Sequence, residues 1–114
     1  MHELSIATSI VELAQEEAES RGVRVLAVHL KLGPLSGVVR SALIGSFEMA
    51  AAGTPLETAR LVVEETPVVA FCPQCQDRRV VESIQHMCCP QCGTPTPEVL
   101  EGAELQVTAL EVEP

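Results

Sequence analysis

The sequence predicts an α+β fold in which two helices pack on one face of a small three-stranded sheet, with a cysteine-rich hairpin module inserted before the last strand. Two segments repeat apolar residues at helical spacing, and three others carry apolar residues at strand spacing. Two Cys-x-x-Cys pairs lie between the second and third strand segments. The expected order is therefore helix, strand, helix, strand, hairpin, strand.

The first helix is predicted over residues 4–21, and Gly22 supplies the residue that ends it. Its apolar face consists of Ile6, Ile10, Leu13, Ala14 and Ala18. The following segment, residues 23–32, is predicted as a strand because every even position from 26 onward is apolar. That even face, expected to lie on the core, consists of Leu26, Val28, Leu30 and Leu32.

A second helix is predicted after the Gly33-Pro34 turn, with Ser36 as its N-cap and its end near Gly53. Its apolar face consists of Val39, Leu43, Phe47, Ala50 and Ala51. Residues 57–65 alternate again and predict the second strand. Its apolar side is formed by Ala59, Leu61 and Val63.

The third strand is predicted over residues 105–112, where the apolar positions change phase. They are odd at Leu105 and Val107 but even at Leu110 and Val112. This slip predicts a bulge, or an end buried on both faces. The predicted domain division is a core of residues 1–70 and 98–114, with residues 71–97 as the inserted module.

The inserted module has the ligand spacing of a structural zinc site. Two Cys-Pro-Gln-Cys turns, 72–75 and 89–92, are separated by a short hairpin that can bring four sulfurs round one tetrahedral ion. Gly93 suits the end of the second turn, where a positive φ is often needed, and Gln76 stands at the equivalent place in the first. The predicted zinc ligands are Cys72, Cys75, Cys89 and Cys92.

Disulfides, a redox pair and unligated core cysteines are the alternatives to zinc. No signal peptide is recognisable at the start of the sequence, so a reducing cytoplasmic compartment is expected. Five cysteines leave one unpaired in any disulfide scheme. Cys88 could replace Cys89 in a slipped register, but the repeated Cys-Pro-Gln-Cys favours Cys89, which leaves Cys88 as a half-buried apolar residue.

Composition and charge exclude several classes of partner. The formal net charge is −9 and aromatic residues make up 2% of the chain, so the sequence repels phosphate backbones and offers no stacking platform for bases. No nucleic-acid partner is expected. No apolar run approaches the roughly 20 residues that cross a bilayer, so no membrane span is expected either.

The first three residues contain a possible transition-metal chelate. The Met1 amine, the backbone nitrogen and imidazole of His2, and the Glu3 amide can supply nitrogen donors in one plane. A square-planar nitrogen set suits Ni(II) or Cu(II), so the donor chemistry does not by itself name the ion. The alternative is a solvated terminal histidine. His29 and His86 are interpreted as a packing residue and a surface residue, respectively.

Several motifs are spread along the chain, namely Met1 to Ser5, Val28 to Val38, Phe47-Glu48, Gly53-Thr54, Leu61 to Pro67, both cysteine turns, and Leu110 to Val112. Together they resemble the HypA/HybF family of hydrogenase nickel-incorporation proteins. The resemblance implies a nickel metallochaperone that works with a partner GTPase to load Ni²⁺ into the large subunit of [NiFe]-hydrogenase. It also implies that His2 binds the nickel cargo and that the four predicted cysteines bind structural Zn²⁺.

Two other function classes follow from the cysteines alone. One is a zinc-ribbon module for protein interaction that carries no nickel. The other is an enzyme, either a thiol oxidoreductase or a zinc hydrolase. Four thiolates leave zinc no open position for water, and no pairing of a nucleophile with a base stands out in the sequence, so no enzymatic activity is expected.

Overall fold

The computed structural model describes residues 3–114 and confirms the α+β class, with two helices and, in place of one sheet and a hairpin, two small three-stranded sheets. The helices are α1 (Glu3–Arg21) and α2 (Arg40–Ala51), and a 3₁₀ turn spans Pro34–Ser36. The strands are β1 (Arg24–Leu32), β2 (Arg60–Glu65), β3 (Val68–Cys72), β4 (Asp77–Val81), β5 (Glu98–Glu101) and β6 (Leu105–Glu113).

The chain divides into two compact units. The first unit consists of Met1–Lys31, Val38–Glu64 and Gln106–Pro114, and the second of Leu32–Gly37 and Glu65–Leu105. These bounds describe which residues contact one another. The predicted division, a core of residues 1–70 and 98–114 with an inserted zinc-binding module of residues 71–97, stays a prediction.

Helix α1 ends at Gly22, as predicted, through a Schellman cap. Gly22 has φ +65°, its N–H donates to the Glu19 carbonyl at 3.4 Å, and the Val23 N–H donates to the Ala18 carbonyl at 3.0 Å. The buried face of the helix consists of Ile6, Ala7, Ile10, Val11 and Ala14. The assignment of Leu13 to this face was wrong, because its side chain is 49% exposed. Ala7 and Val11 occupy the face instead.

Helix α2 begins without the predicted side-chain cap. Its N-cap residue is Val39, which makes no capping hydrogen bond, whereas Ser36 belongs to the preceding 3₁₀ turn. Gly37, with φ +79°, separates that turn from the helix, so the N-cap prediction for Ser36 was wrong. Leu43, Phe47 and Ala51 are buried as predicted, but Val39 is 57% exposed. The two helices pack against each other within the first unit.

The first sheet has the strand order β2-β1-β6, and its buried residues all belong to the central strand β1. Along β1 the even positions Val28, Leu30 and Leu32 are buried as predicted. The prediction for Leu26 was wrong: it is half-buried, and Val25 and Ala27 are buried in its place. The alternation therefore changes phase between residues 27 and 28.

The edge strands β2 and β6 contain no buried residue. In β2 the predicted face, Leu61 and Val63, is only half-buried, and so is Val62 between them. The idea that the end of β6 is buried on both faces was wrong, since Val112 is 42% exposed. Edge strands are covered on one side only, so apolar alternation overstates their burial.

The second sheet has the order β4-β3-β5, and β3 pairs antiparallel with both neighbours. Its buried cluster consists of Val68, Ala70 and Val81, with the half-buried Met87 packed against it. Strand β5 was not predicted from the sequence. All four of its residues are exposed, so its sequence has no apolar face to reveal it.

Backbone hydrogen bonds join residues 33–35 of the second unit to residues 102–104 of the same unit. The Gly33 N–H donates to the Glu104 carbonyl and the Leu35 N–H to the Gly102 carbonyl, each at 2.8 Å. A Cβ on Gly33 would lie 2.1 Å from the Gly102 oxygen, so this approach requires glycine. The Thr66 hydroxyl donates to the Glu104 carboxylate at 2.8 Å and adds a side-chain link.

Neither helix in residues 3–114 has the length and apolar character that a membrane span requires.

Candidate metal centre

Four cysteine sulfurs come together in the second unit. They are the sulfurs of Cys72, Cys75, Cys89 and Cys92, which all lie within 4.8 Å of one another. The Cys72 and Cys92 sulfurs are 3.5 Å apart, and the Cys75 and Cys89 sulfurs are 4.0 Å apart. Tetrahedral zinc with Zn–S bonds of about 2.3 Å needs sulfurs about 3.8 Å apart. The donor set therefore fits a zinc ion.

The first cysteine turn is the loop of the β3–β4 hairpin. Cys72 ends β3 and pairs with Asp77, which begins β4. Within the turn the Gln76 N–H donates to the Cys72 carbonyl at 2.7 Å, and the Cys75 N–H donates to the Cys72 sulfur at 3.3 Å. Since the hairpin register fixes both ends of the loop, the two sulfurs are positioned by the sheet.

The second cysteine turn repeats the backbone of the first. The Gly93 N–H donates to the Cys89 carbonyl at 2.9 Å, which matches the bond from Gln76 to Cys72. Gly93 has φ +75° and Gln76 has φ +54°, so both residues are left-handed. This confirms the predicted positive φ at Gly93. Having glutamine at position 76, where the second turn has glycine, leaves the shape of the first turn unchanged, because Gln76 adopts the same left-handed conformation.

Cys88 and His86 lie outside the sulfur cluster. Cys88 is a half-buried free thiol that forms an isolated antiparallel bridge with Pro95. His86 is exposed and bridges to Ser83. Of the two neighbouring cysteines, the structure therefore brings Cys89 and not Cys88 to the other three sulfurs.

The surroundings of the sulfurs shift their acidity in opposite directions. Hydrogen bonding with the Thr94 side chain, whose hydroxyl oxygen lies 3.2 Å from the sulfur, and with the Thr94 backbone lowers the pKa of Cys92 to about 6. Burial disfavours the Cys89 thiolate, but the backbone amides of Cys92 and Gln91 outweigh it and lower the Cys89 pKa.

Cys75 is shifted the other way. Hydrogen bonding to the Cys92 and Cys72 sulfurs, together with burial, raises the pKa of the Cys75 thiol to about 11. A thiolate is required for metal ligation, so a metal ion that binds here displaces the Cys75 proton.

One residue at this centre, Arg79, was missed by the sequence analysis. Strand register puts its side chain on the same face of the β3–β4 hairpin as Cys72, and the Cys75 and Cys89 sulfurs raise the pKa of its guanidinium. The Arg79 side chain is 20% exposed, against 56% for the neighbouring Arg78. In the sequence the two arginines look alike, and only the strand register could have separated them.

Of the three predicted nickel ligands, the structure describes only Glu3. Met1 and His2 lie outside the described residues. Glu3 begins α1, where its carboxylate stands in the first turn of the helix. A negative charge at that position is favourable to the helix dipole, so its placement is explained without a metal. The roles of Met1, His2 and Glu3 as ligands therefore stay predictions.

The chain is similar to known proteins over nearly its whole length. A family model described as "Hydrogenase/urease nickel incorporation, metallochaperone, hypA" matches residues 1–112. The hydrogenase maturation factor HypA of Roseiflexus sp. (strain RS-1) is 49% identical over 114 residues, which cover 99% of this chain and 93% of that protein. The protein of the same name from Chloroflexus aurantiacus is 48% identical over 112 residues, or 97% of this chain and 98% of the relative.

Two solved structures share the fold. The solution structure of the Ni metallochaperone HypA from Helicobacter pylori aligns with a TM-score of 0.66 over 98% of this chain and 97% of that one. A second, titled "Solution structure of HypA protein", aligns with a TM-score of 0.73 over 99% and 97%. Both are 22% identical in sequence, so they show the fold alone.

Proposed function

We infer the function from one premise, which is that this chain belongs to the HypA family of hydrogenase/urease nickel-incorporation metallochaperones. It is a maturation factor of that family, with a four-cysteine site that can hold a metal. We propose that it binds Ni²⁺ as cargo at its N-terminal Met-His-Glu and helps to insert it into the large subunit of [NiFe]-hydrogenase. The cysteine cluster is the single observation that carries the zinc part of this proposal.

The zinc at the cysteine cluster is proposed to be structural. Four thiolates complete a tetrahedron, so no coordination position is left for water or for a substrate. Cys72 and Cys89 are 0% and 2% exposed, which shields two of the four sulfurs from exchange with solvent. A closed site of this kind stabilises a fold and does not catalyse hydrolysis. The protein is therefore proposed to be a carrier and not an enzyme.

The nickel site is proposed to use nitrogen donors at the start of the chain. The Met1 amine, the His2 backbone nitrogen and imidazole, and the Glu3 amide form fused chelate rings that match the planar preference of Ni(II). The zinc site offers only thiolates in a tetrahedral arrangement, so the two donor sets select different ions. Delivery also requires release, which an exposed chelate permits.

The proposed partners follow from the same family assignment. They are a GTPase of the hydrogenase maturation machinery and the large subunit that receives the nickel, in the cytoplasm. The net charge of −9 favours cations and basic protein surfaces over nucleic acid.

The test is a nickel titration by calorimetry and absorption on the untagged protein. The native chain is expected to hold one zinc that resists a mild chelator, and to bind one nickel that the chelator removes. His2→Gln is expected to abolish nickel binding and hydrogenase maturation while zinc content stays at one per chain. One serine added before Met1 is expected to weaken nickel binding, because the amine becomes an amide.

A chain extended after Pro114 is the matched control and is expected to bind nickel like the native protein. Nickel bound with native affinity by His2→Gln would refute the proposed ligand set. Equal affinities and spectra for the native and serine-extended chains would eliminate the Met1 amine alone. A protein that holds zinc but no nickel would instead be an interaction module.

A further inference from the structure

The proposed zinc site has a net negative charge that its four cysteine ligands do not neutralise. Zn²⁺ bound by four thiolates carries net negative charge, and a partly buried negative charge needs a cation or hydrogen-bond donors nearby. Several N–H and O–H groups reach single sulfurs, such as the Cys75 amide on Cys72 and the Thr94 hydroxyl beside Cys92. None of these groups carries a positive charge.

Arg79 supplies that charge from the middle of β4. It pairs with Ala70 of β3, whose methyl side chain is 0% exposed and offers no acceptor. The guanidinium is fixed at one end, since Nη1 donates to the Asp77 carboxylate at 3.2 Å and to the Arg78 carbonyl at 3.1 Å. Asp77 is itself held by the Arg78 N–H at 2.7 Å. The first residues of β4 therefore fix the orientation of the Arg79 guanidinium.

The other end of the guanidinium has a donor without an acceptor. The Arg79 Nε is buried and has no hydrogen-bond partner among the described residues. A buried donor left unpaired costs about 1–3 kcal/mol, so a native protein rarely keeps one without a use. Because Cys72 pairs with Asp77 and Ala70 pairs with Arg79, the Arg79 side chain lies on the same face of the β3–β4 hairpin as Cys72, whose sulfur is clustered with those of Cys75 and Cys89. As zinc-bound thiolates they would be strong acceptors.

We propose that Arg79 is a positioning residue of the metal centre, whose Nε–H donates to the thiolate of Cys75 or Cys89 and whose charge offsets that of the zinc tetrathiolate. The proposal rests on the zinc site proposed above. A hydrogen-bonded, charge-compensated thiolate leaves the metal less readily, so Arg79 makes the site retain zinc while nickel is exchanged elsewhere. Asp77 acts through Arg79 by holding the guanidinium in place.

The experiment compares Arg79→Met with Arg78→Met, a matched control on the same strand. Arg78 is 56% exposed and pairs with Glu101, and the strand pleat puts it on the face of β4 opposite to Arg79. Each protein is loaded with zinc, and the transfer of zinc to a chromogenic chelator is followed by stopped flow. Arg79→Met is expected to release zinc about 10–100 times faster than the native protein, as is typical for loss of a group that supports a metal ligand. Arg78→Met is expected to release it at the native rate.

A second measurement separates hydrogen bonding from packing. In the cobalt-substituted proteins, loss of an N–H donor to a thiolate raises the energy of the sulfur electrons and moves the sulfur-to-cobalt charge-transfer band to lower energy. Arg79→Lys, which keeps the charge, is expected to restore most of the native zinc retention. Arg79→Met is expected to show the shifted band whether or not its stability has changed.

Native zinc retention and an unshifted band in Arg79→Met would overturn the proposal. Faster zinc release and a shifted band in Arg78→Met would overturn it as well. A native protein that binds no zinc would overturn the zinc site itself. Zinc bound by the native protein and unaffected by Arg79→Met would refute only the role of Arg79.

Discussion

Each of the two units is stabilised internally in a different way. The first unit buries large aliphatic and aromatic side chains from both helices and from β1, including Val28, Leu30, Leu43 and Phe47, each at most 2% exposed. The buried cluster of the second unit contains only Val68, Ala70 and Val81. Its other buried side chains are Leu32, Val69 and Thr96, together with Cys72 and Cys89 of the metal centre.

This difference shows how a short segment can be ordered without a large core. Segments of about 40 residues bury too little surface to fold alone and usually need disulfides, a metal or a partner. Four thiolates on two turns can provide such a cross-link, because the proposed zinc ion would tie the two turns to each other. The first unit has no such need, since its helices and sheet bury a continuous aliphatic core.

The largest expected effect is loss of the metal from the second unit. Structural zinc contributes roughly 10–16 kcal/mol in zinc-finger peptides, more than the small cluster of Val68, Ala70 and Val81 can replace. Cys72→Ser is therefore expected to lose zinc and the amide protection of β3 and β4, while α1 and α2 stay folded. Zinc analysis and hydrogen exchange measure the two outcomes.

Cys88→Ser is the control for that experiment, because Cys88 is the one cysteine outside the cluster. It is expected to keep one zinc and native exchange rates. Zinc retained by Cys72→Ser, or lost by Cys88→Ser, would break the comparison between the units. If the core of residues 1–70 and 98–114 melts together with the module of residues 71–97, the predicted domain division is wrong.

The next largest effect is expected when a substitution creates a cavity in the core of the first unit. Leu43 is 0% exposed in α2, so Leu43→Ala is expected to lower the free energy of unfolding by about 2–5 kcal/mol. Met49 lies in the same helix and is 69% exposed, so Met49→Ala is expected to change it by less than about 0.5 kcal/mol. Urea unfolding followed by helical ellipticity gives both values.

Zinc content after Leu43→Ala sharpens the comparison. It is expected to remain at one per chain under native conditions, because all four proposed zinc ligands belong to the second unit. Loss of zinc from this variant would show that the second unit depends on the aliphatic core.

The smallest predicted effect concerns the backbone of the two cysteine turns. Gln76→Gly is expected to raise the stability of the second unit by up to about 1 kcal/mol, because glycine adopts a positive φ without strain. Gly93→Ala is expected to lower it by about 1 kcal/mol. A Cβ at Gly93 would contact nothing within 4 Å, so the change would come from φ +75° alone.

Unfolding of the cobalt-substituted protein, followed by its charge-transfer band, reports on the second unit in this experiment. Gly45→Ala, in the exposed interior of α2, is the control and is expected to stabilise the first unit by about 1 kcal/mol. The same sign for Gln76→Gly and Gly93→Ala would show that the two turns are not equivalent.

The sequence determined the features that depend on local spacing. Both Cys-Pro-Gln-Cys turns, the extent of α1 and its end at Gly22, and the burial of Leu43 and Phe47 could all be predicted. Each depends on residues a few positions apart, where chain geometry permits few arrangements. The choice of Cys89 over Cys88 also came from local repetition, and the sulfur cluster matches it.

Only the tertiary structure decided which side chains meet across strands. The pairing of β3 with β5 joins Ala70 to Val99 and Phe71 to Glu98, residues far apart in a sequence that shows no apolar face for β5. Arg78 and Arg79 are adjacent and chemically identical, yet the strand pleat sends one to solvent and the other beside the sulfurs. Strand register sets that choice through long-range pairing, which local sequence patterns do not encode.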